Sequence, residues 1–255
     1  MSIKILFSPS EGKNKPCDME KSKKGLKSQD TQDLQAQKHL DSQAVREYVA
    51  FLQKGSEREI ATLFGSKTLD MQSLALAQNL LKSPRIEAVR LYNGVGYKAL
   101  DFANLDSRSQ EYLRKNLYIF SNLFGMVRAN EPLPYYNLHQ GKGKGAFELK
   151  MLYKNLKAAL DETLRDYEVL DLRAEAYIKA YPARNCVHYY QAVFLKEGKR
   201  VSHYAKFYRG LYARYLAQQN IDKLTELHSL HFDFIELVDA TYTQNATILT
   251  YEIIS

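Results

Sequence analysis

The segment from His203 to Ala217, HYAKFYRGLYARYLA, combines cations with small residues at helical spacing. Successive residues of a helix are about 100° apart, so the segment divides into two faces. One face holds the cations and small residues Lys206, Arg209, Gly210, Ala213, Arg214 and Ala217. The other holds Tyr204, Phe207, Tyr208, Leu211 and Tyr215, and is expected to pack on a sheet.

The first of these faces suits a phosphate backbone. Gly and Ala would let a ligand approach the helix closely, while Lys and Arg reach around it and bind phosphate. Two alternatives stay open for the same pattern. The face is either solvated and basic, or its small residues pack tightly against another helix.

The segment from Asn137 to Lys157 alternates three glycines with Lys142 and Lys144 just before a helical pattern. Successive backbone N–H groups in such a loop, with a helix N-terminus behind them, can bind an anion. The spacing is not that of the G-x-x-x-x-G-K-[ST] phosphate loop. A flexible, exposed loop is the alternative interpretation.

Two further loops carry polar or glycine-rich sequence. SPSEGK at Ser8–Lys13 follows a short apolar run, and binding groups often collect at strand ends. Ser10, Glu11 and Lys13 could form a small acid–base cluster there, although an ordinary turn also explains the spacing. YNGVGY at Tyr92–Tyr97 lacks the third glycine of a dinucleotide fingerprint, so a tight turn accounts for it.

Helices and strands alternate irregularly along the chain. Helices are predicted over residues 42–81, 151–166 and 203–219, with Ser56 and Glu59 as a capping box. Strands are predicted over residues 3–7, 88–97, 117–124, 169–172, 186–195, 230–238 and 246–254. A long polar loop is predicted over 19–37. The pattern indicates an α+β fold, a single compact domain over residues 1–255 with a mixed central β-sheet flanked by helices.

Composition favours a soluble, cytoplasmic protein with an anionic partner. Of the 255 residues, 45% are hydrophobic and 25% charged, and the net charge is +7. Cys17 and Cys186 form neither a disulfide framework nor a CxxC zinc pair, and the histidines are scattered. We therefore predict no cofactor and no metal site. A signal peptide and an apolar stretch of the roughly 18 residues that a membrane span needs are both missing from the sequence.

Five segments, in order, resemble the YaaA peroxide-stress family. They are ILFSPSEGK, YNGVGYKALD, FSNLFGMVRANEPLPYYNL, DLRAEAYIKAY and HYAKFYRGLYARYL. The last is the most specific, because it resembles the family pattern Tyr-Ala-Lys-x-x-Arg-Gly-x-x-x-Arg. Together the matches cover nearly the whole chain.

The resemblance implies a cytoplasmic bacterial protein that limits damage from free iron and hydrogen peroxide. It also implies a compact domain with a basic cleft, a helix-hairpin-helix-like element, and sequence-independent binding of duplex or irregular DNA. The hairpin element would comprise the helix ending near Gln219, the turn Asn220–Asp222 and a short helix from Lys223. Carried over by position, the cleft residues are Lys13, Tyr97, Arg128, Glu175, Lys206, Arg209 and Arg214.

The sequence departs from the family pattern at four positions. Asn137 and His139 stand where the family has Arg and Glu. Glu148 replaces the Trp of a Phe-Trp pair, and Val95 replaces the Asp of the glycine–tyrosine turn. An enzymatic activity that needs those groups would be altered or lost, whereas the cations of the 203–217 helix are retained.

Three functions compete. DNA binding is the first, with Lys13, Arg128, Lys142, Lys144, Lys206, Arg209 and Arg214 as phosphate-binding residues. The second is an enzyme acting on a small anionic or nucleobase substrate, with Lys13, Tyr97, Glu175 and Lys206 as acid, base or anion clamp. The third is iron binding, for which the sequence offers no ligand spacing. The sequence favours DNA binding.

Overall fold

The computed structural model describes residues 3–16, 38–201 and 203–254, and for His203 the backbone alone. Cys17 and the polar loop predicted over 19–37 lie outside the described residues. Within them, helices flank a central mixed sheet, as the sequence predicts. No helix of this described part is long and apolar enough to cross a bilayer.

The sheet is built from both parallel and antiparallel strands. The strands are β1 (Ile3–Phe7), β2 (Arg85–Glu87), β3 (Leu117–Ser121), β4 (Gly125–Arg128), β5 (Pro132–Pro134), β6 (Glu168–Asp171), β7 (His188–Lys196), β8 (Lys199–Arg200), β9 (Ile235–Thr243) and β10 (Ala246–Ile253). The order in the main sheet is β4-β3-β1-β6-β7-β10-β9, with β8 paired to β7. The strands from β3 to β10 in this order run parallel, while β4, β8 and β9 run antiparallel to their neighbours. β2 and β5 form a separate pair.

β1 lies between two parallel neighbours. Ile5 pairs with Leu117 of β3 on one side and with Leu170 of β6 on the other. Every residue of β1 is buried, as expected for a parallel strand covered by helices on both faces of its sheet. The loop after Phe7 therefore emerges between the ends of two neighbouring strands.

The helices surround this sheet. They are α1 (Gln43–Lys54), α2 (Glu57–Phe64), α3 (Met71–Gln78), α4 (Ala88–Leu91), α5 (Val95–Leu100), α6 (Ser107–Asn116), α7 (Leu149–Leu164), α8 (Glu175–Ala180) and α9 (His203–Gln219). Short 3-10 helices span Leu80–Lys82, Phe102–Asn104, Gly145–Phe147 and Leu224–His228. The predicted capping box at the start of α2 is confirmed, because Ser56 and Glu59 each bond the other's backbone N–H.

Residues 88–97 were predicted as a strand, and this prediction is wrong. They form α4, a turn and the start of α5. Ala88 and Val89 donate their backbone N–H groups to the carbonyl oxygens of Glu131 and Ala129, at 2.8 and 2.9 Å. A short apolar run cannot by itself distinguish a strand from a buried helical turn.

α9 crosses α5 at a contact between two glycines. A Cβ atom on Gly210 would overlap the carbonyl oxygen of Gly96, and one on Gly96 would lie 2.8 Å from the carbonyl oxygen of Lys206. Ala213 and Ala217 are fully buried. The expectation that these small residues leave room for a phosphate backbone is therefore wrong, because they bring two helices together.

The aromatic face of α9 also differs from expectation. Tyr208 is buried, but Tyr204 and Phe207 are 58% and 41% exposed instead of packing on the sheet. Tyr212, which belongs to neither predicted face, is fully buried. Beyond α9 the chain turns at Asn220, with φ 54°, and continues as the 3-10 helix Leu224–His228. A role for this segment in DNA binding stays a prediction.

Candidate functional site

Loops that follow neighbouring parallel strands meet at the carboxyl edge of the sheet. The backbone N–H of Ala174, after β6, donates to Ser8 Oγ, after β1, at 2.8 Å. The Tyr97 hydroxyl donates to the Ser8 carbonyl oxygen at 2.9 Å, and Gly94 N–H donates to Ser10 Oγ at 3.0 Å. Ligands of open α/β sheets bind outside the carboxyl ends of the strands, so this edge is the candidate site.

Lys13 lies at this edge above two aromatic rings. Its Nζ is 4.2 Å from the ring centroid of Tyr136 and 5.7 Å from that of Tyr92. It donates to the Glu11 carbonyl oxygen at 3.2 Å. Burial lowers the pKa of Lys13 to about 7, and the Glu11 carboxylate opposes this shift only in part. An anion bound beside the amine would favour its charged form.

The rings beneath this lysine belong to a buried cluster of Tyr92, Tyr97, Tyr136 and Tyr177. The hydroxyl oxygens of Tyr92 and Tyr136 are 3.0 Å apart, and Tyr136 donates to Asn122 Oδ1 at 2.8 Å. The ring centroids of Tyr92 and Tyr97 are 5.2 Å apart. Burial raises the pKa of all four hydroxyls, that of Tyr92 to about 12. They are therefore hydrogen-bonding groups at neutral pH, and none is an ionised base.

Glu11 and His139 connect this edge to the loop that follows β5. His139 Nε2 lies 3.1 Å from Glu11 Oε1, and Nδ1 lies 2.8 Å from the Gln140 carbonyl oxygen. Both partners are acceptors, so both ring nitrogens donate when the two contacts are made. Gly65, at φ 70°, makes room for the imidazole, because a Cβ atom there would overlap the ring.

Arg209 is a second cation near this edge. Its Nε is buried and has no hydrogen-bond partner among the described residues. Burial lowers the pKa of Arg209 to about 10; Asp171 opposes the shift and Arg200 adds to it. The Asp171 carboxylate is already engaged, since it accepts from Arg173 Nε and from the Tyr189 hydroxyl, both at 2.9 Å. An external anion would give Arg209 the partner that the described residues do not provide.

The predicted catalytic residues are only partly brought together. Tyr97 packs against Tyr92, whose ring Lys13 also approaches. Glu175 instead pairs with Lys179 at 2.7 Å on the surface of α8, and this hydrogen bond is the main reason its pKa is lowered. Lys206 is exposed on α9. A catalytic role for any of these residues stays a prediction.

Two of the predicted phosphate-binding cations have other neighbours. Arg214 Nη1 donates to Asp101 Oδ2 at 2.9 Å, at the end of α5. Arg128 lies close to Lys4 and Lys115 near the start of β3, the end opposite the candidate site. Burial, together with these two cations, lowers the pKa of Lys4 to about 8. The structure thus separates Arg128 from the cleft residues with which the resemblance grouped it.

The glycine–lysine loop already binds an anion from its own chain. Ala146 N–H donates to Glu47 Oε2 at 2.7 Å, and a Cβ atom on Gly145 would lie 2.6 Å from the same oxygen. The expectation that this loop offers its N–H groups to an external anion therefore fails at Ala146, because Glu47 already accepts its hydrogen bond. Lys142 and Lys144 are exposed, and contact between them and DNA stays a prediction.

The four residues that depart from the family pattern lie in different parts of the structure. The backbone of Asn137 exchanges hydrogen bonds with the Tyr48 hydroxyl, at 2.7 and 3.1 Å. Glu148 precedes the first residue of α7, and Val95 begins α5 with 53% of its surface exposed. His139 is the departure that reaches the candidate site, through Glu11.

Part of this site is not predicted from the sequence. Tyr92, Tyr136 and Tyr177 lie within segments that carry the resemblance, but none was proposed as a site residue. Their signal is the abundance of Tyr, 19 residues with no Trp, which composition alone does not localise. Within residues 3–16, 38–201 and 203–254, no three His, Cys, Asp or Glu side chains are grouped as metal ligands.

Comparison with known proteins assigns the family. The model of the family described as peroxide stress protein YaaA matches residues 3–237. A Campylobacter jejuni protein, described as uncharacterized, is 38% identical over 229 residues, which cover 88% of this chain and 89% of the relative. A UPF0246 protein of Janthinobacterium sp. is 29% identical over 79% of this chain and 84% of its own length. The chain therefore belongs to the YaaA family of peroxide stress proteins.

Proposed function

We propose that the chain binds DNA through the phosphate backbone, without regard to base sequence, and so limits iron- and peroxide-dependent damage. Membership of a peroxide stress family supports the stress role. The net charge of +7 supports a polyanionic partner. The proposal places the first phosphate at the carboxyl edge of the parallel strands.

The observation that carries the proposal is the unsatisfied Arg209. A buried donor without a partner costs roughly 1 to 3 kcal/mol, and the nearby Asp171 is saturated by Arg173 and Tyr189. A phosphate oxygen accepts hydrogen bonds from a guanidinium in a planar, charge-assisted geometry. Phosphate bound to the guanidinium of Arg209 would favour its charged form.

The exposed end of α9 extends the same positive charge. Lys206 is exposed one turn before Arg209 and forms no ion pair within the described part of the chain. By contrast, Arg214, farther along the helix, is paired with Asp101, which accepts its hydrogen bond. We therefore expect phosphate contacts at the N-terminal half of α9.

A second candidate function, an enzyme on a small anionic or nucleobase substrate, is favoured by Lys13. An amine with a pKa of about 7 can give or take a proton near neutral pH. Among the described residues its Nζ donates only to a backbone carbonyl and has no carboxylate in ion-pair contact. Glu175 and Lys206, which the same hypothesis invoked, show no comparable burial.

The test is fluorescence-anisotropy binding to duplex, gapped and single-stranded DNA over a salt series. Each phosphate contacted contributes about 0.9 to the slope of log affinity against log salt for duplex DNA. We expect Lys206→Ala and Arg209→Met to weaken binding and lower this slope. Arg214→Ala is the matched control, since it removes one charge from the same helix but from an existing ion pair.

The outcomes separate the two candidates. Salt-independent binding, or binding that neither variant changes, contradicts the proposal of backbone contacts at α9. The small-substrate candidate predicts that deoxynucleoside monophosphates raise the melting temperature of the wild type and not of Lys13→Met. That result, together with no detectable DNA binding, would favour the enzyme, with Lys13 in its substrate site.

A further inference from the structure

An open groove of about 600 Å³ lies at the start of α9. Its lining residues are Val95, Tyr204, Lys206, Phe207 and Tyr208. The side chains of Val95, Tyr204 and Phe207 are 53%, 58% and 41% exposed, which groups three large apolar side chains on one surface. Large apolar groups clustered at the surface of a soluble protein generally mark a binding site. We call this surface the α9 groove.

The aromatic rings of the α9 groove are arranged for stacking. Tyr204 and Phe207 are three residues apart on one helix, so they lie on the same face. The Phe207 ring is held edge-to-face by the buried ring of Tyr208, with centroids 5.4 Å apart and an interplanar angle of 87°. A planar, uncharged ligand could therefore lie against the exposed rings.

Cations border the same groove. Lys196 Nζ lies 4.9 Å from the ring centroid of Tyr204, and Lys206 lines the groove itself. Within the described part of the chain neither lysine forms an ion pair, and Arg209 follows one turn later on α9. Exposed aromatic rings bordered by cations match a strand of unpaired nucleotides, which presents flat bases and a negative backbone.

We propose that the α9 groove binds unpaired bases of single-stranded DNA by stacking on Tyr204 and Phe207, with Lys196 and Lys206 on the flanking phosphates. This inference rests on the proposed DNA binding and adds the structural form of the ligand. Paired bases in a duplex have their faces covered by their neighbours, so stacking favours gapped or single-stranded DNA. A second copy of the chain is the other candidate occupant of an apolar surface, and docking by the same groove would bring the two sets of cations together, which disfavours it.

The first test uses the lack of Trp in this chain. Phe207→Trp places a single reporter in the α9 groove, and Leu81→Trp places one on an exposed position after α3 as the matched control. We expect oligothymidine to quench the fluorescence of Phe207→Trp, with the same midpoint concentration that anisotropy gives for binding. The fluorescence of Leu81→Trp should stay unchanged. Binding without quenching at position 207 would overturn the inference and leave the proposed function intact.

The second test separates stacking from phosphate contact. The double variant Tyr204→Ala, Phe207→Ala should lose roughly tenfold or more in affinity for oligothymidine, since each stacked base contributes roughly fivefold or more. Its affinity for blunt duplex should change by less than about twofold. Tyr204→Phe, which keeps the ring, should bind as the wild type does.

The remaining outcomes are also decisive. Equal losses for duplex and single strand would overturn base stacking, provided that circular dichroism shows the variant to be folded. Loss of a dimer in the double variant, seen by sedimentation, would assign the groove to a second copy of the chain. Failure of the wild type to bind any DNA would refute the proposed function itself.

Discussion

Gly210 of α9 lies directly against the carbonyl oxygen of Gly96 in α5, so the two helices cross without a side chain between them. We expect Gly210→Ala to lower the free energy of unfolding by roughly 2 to 3 kcal/mol, because the added methyl group must displace backbone. In an unobstructed helix the same change would stabilise by up to about 1 kcal/mol. The sign of the change in the free energy of unfolding, measured with urea, therefore tests the close contact between α9 and α5. Lys206→Ala, on the exposed side of α9, is the control.

Arg209→Met should have opposite effects on stability and on binding. Removing a buried donor that has no partner should raise the free energy of unfolding by roughly 1 kcal/mol. The same change should weaken DNA binding, since the phosphate would lose its guanidinium contact. Thermal unfolding and anisotropy on one preparation check both effects. A fall in stability of 2 kcal/mol or more would instead mean that Arg209 is structural.

Lys13 should make stability depend on pH above neutrality. Its pKa is about 7 in the folded protein and 10.5 when unperturbed, so between these values the unfolded state binds more protons. Stability should therefore rise as pH increases from about 7 towards 10. Lys13→Met should remove this component. The stability gained by the variant should be largest at pH 6 and vanish near pH 10, and a gain that is constant with pH would contradict the shifted pKa.

DNA binding should reverse that shift. A phosphate beside Lys13 favours the ammonium form, so binding should take up protons between pH 7 and 9. Calorimetric titration in buffers of different ionisation enthalpy measures this uptake. Lys13→Met should reduce it, whereas Lys142→Ala, on an exposed loop, should not.

Asp171→Asn should be strongly destabilising. Asp171 and Arg173 form a fully buried ion pair, and the same carboxylate accepts from the Tyr189 hydroxyl. Loss of the negative charge would leave the Arg173 guanidinium buried without a counter-charge, at a cost of roughly 3 kcal/mol or more. Unfolding in guanidinium chloride measures the change in the free energy of unfolding. Glu175→Gln, which removes an exposed ion pair with Lys179, should cause no measurable loss.

Local patterns predicted the elements that depend on local physics. The apolar run of β1, the extent of α9 and the capping box of Ser56 and Glu59 all lie where expected. The strand predicted over 88–97 is wrong because a short apolar run fits a buried helical turn as well as it fits a strand. Ala88, Val89 and Leu91 are buried in such a turn, and only the assembled fold makes this choice.

The candidate site was predictable in part for the same reason. Lys13 and Arg209 stand out by type and position, but their pKa shifts arise from burial that only the assembled fold creates. The small face of α9 allowed a ligand or another helix, and Gly96 selects the helix. Likewise the glycine–lysine loop allowed an anion, and Glu47 supplies one from within the chain.

The buried tyrosine cluster has a spectroscopic consequence. Phenolate absorbs at a longer wavelength than the neutral phenol, and the hydroxyls of Tyr92, Tyr97 and Tyr136 are held protonated by burial well past the ordinary pH of tyrosine ionisation. In an absorbance titration of this Trp-free chain, these buried rings should therefore ionise late as alkali is added, and their signal would report the pH at which the core opens.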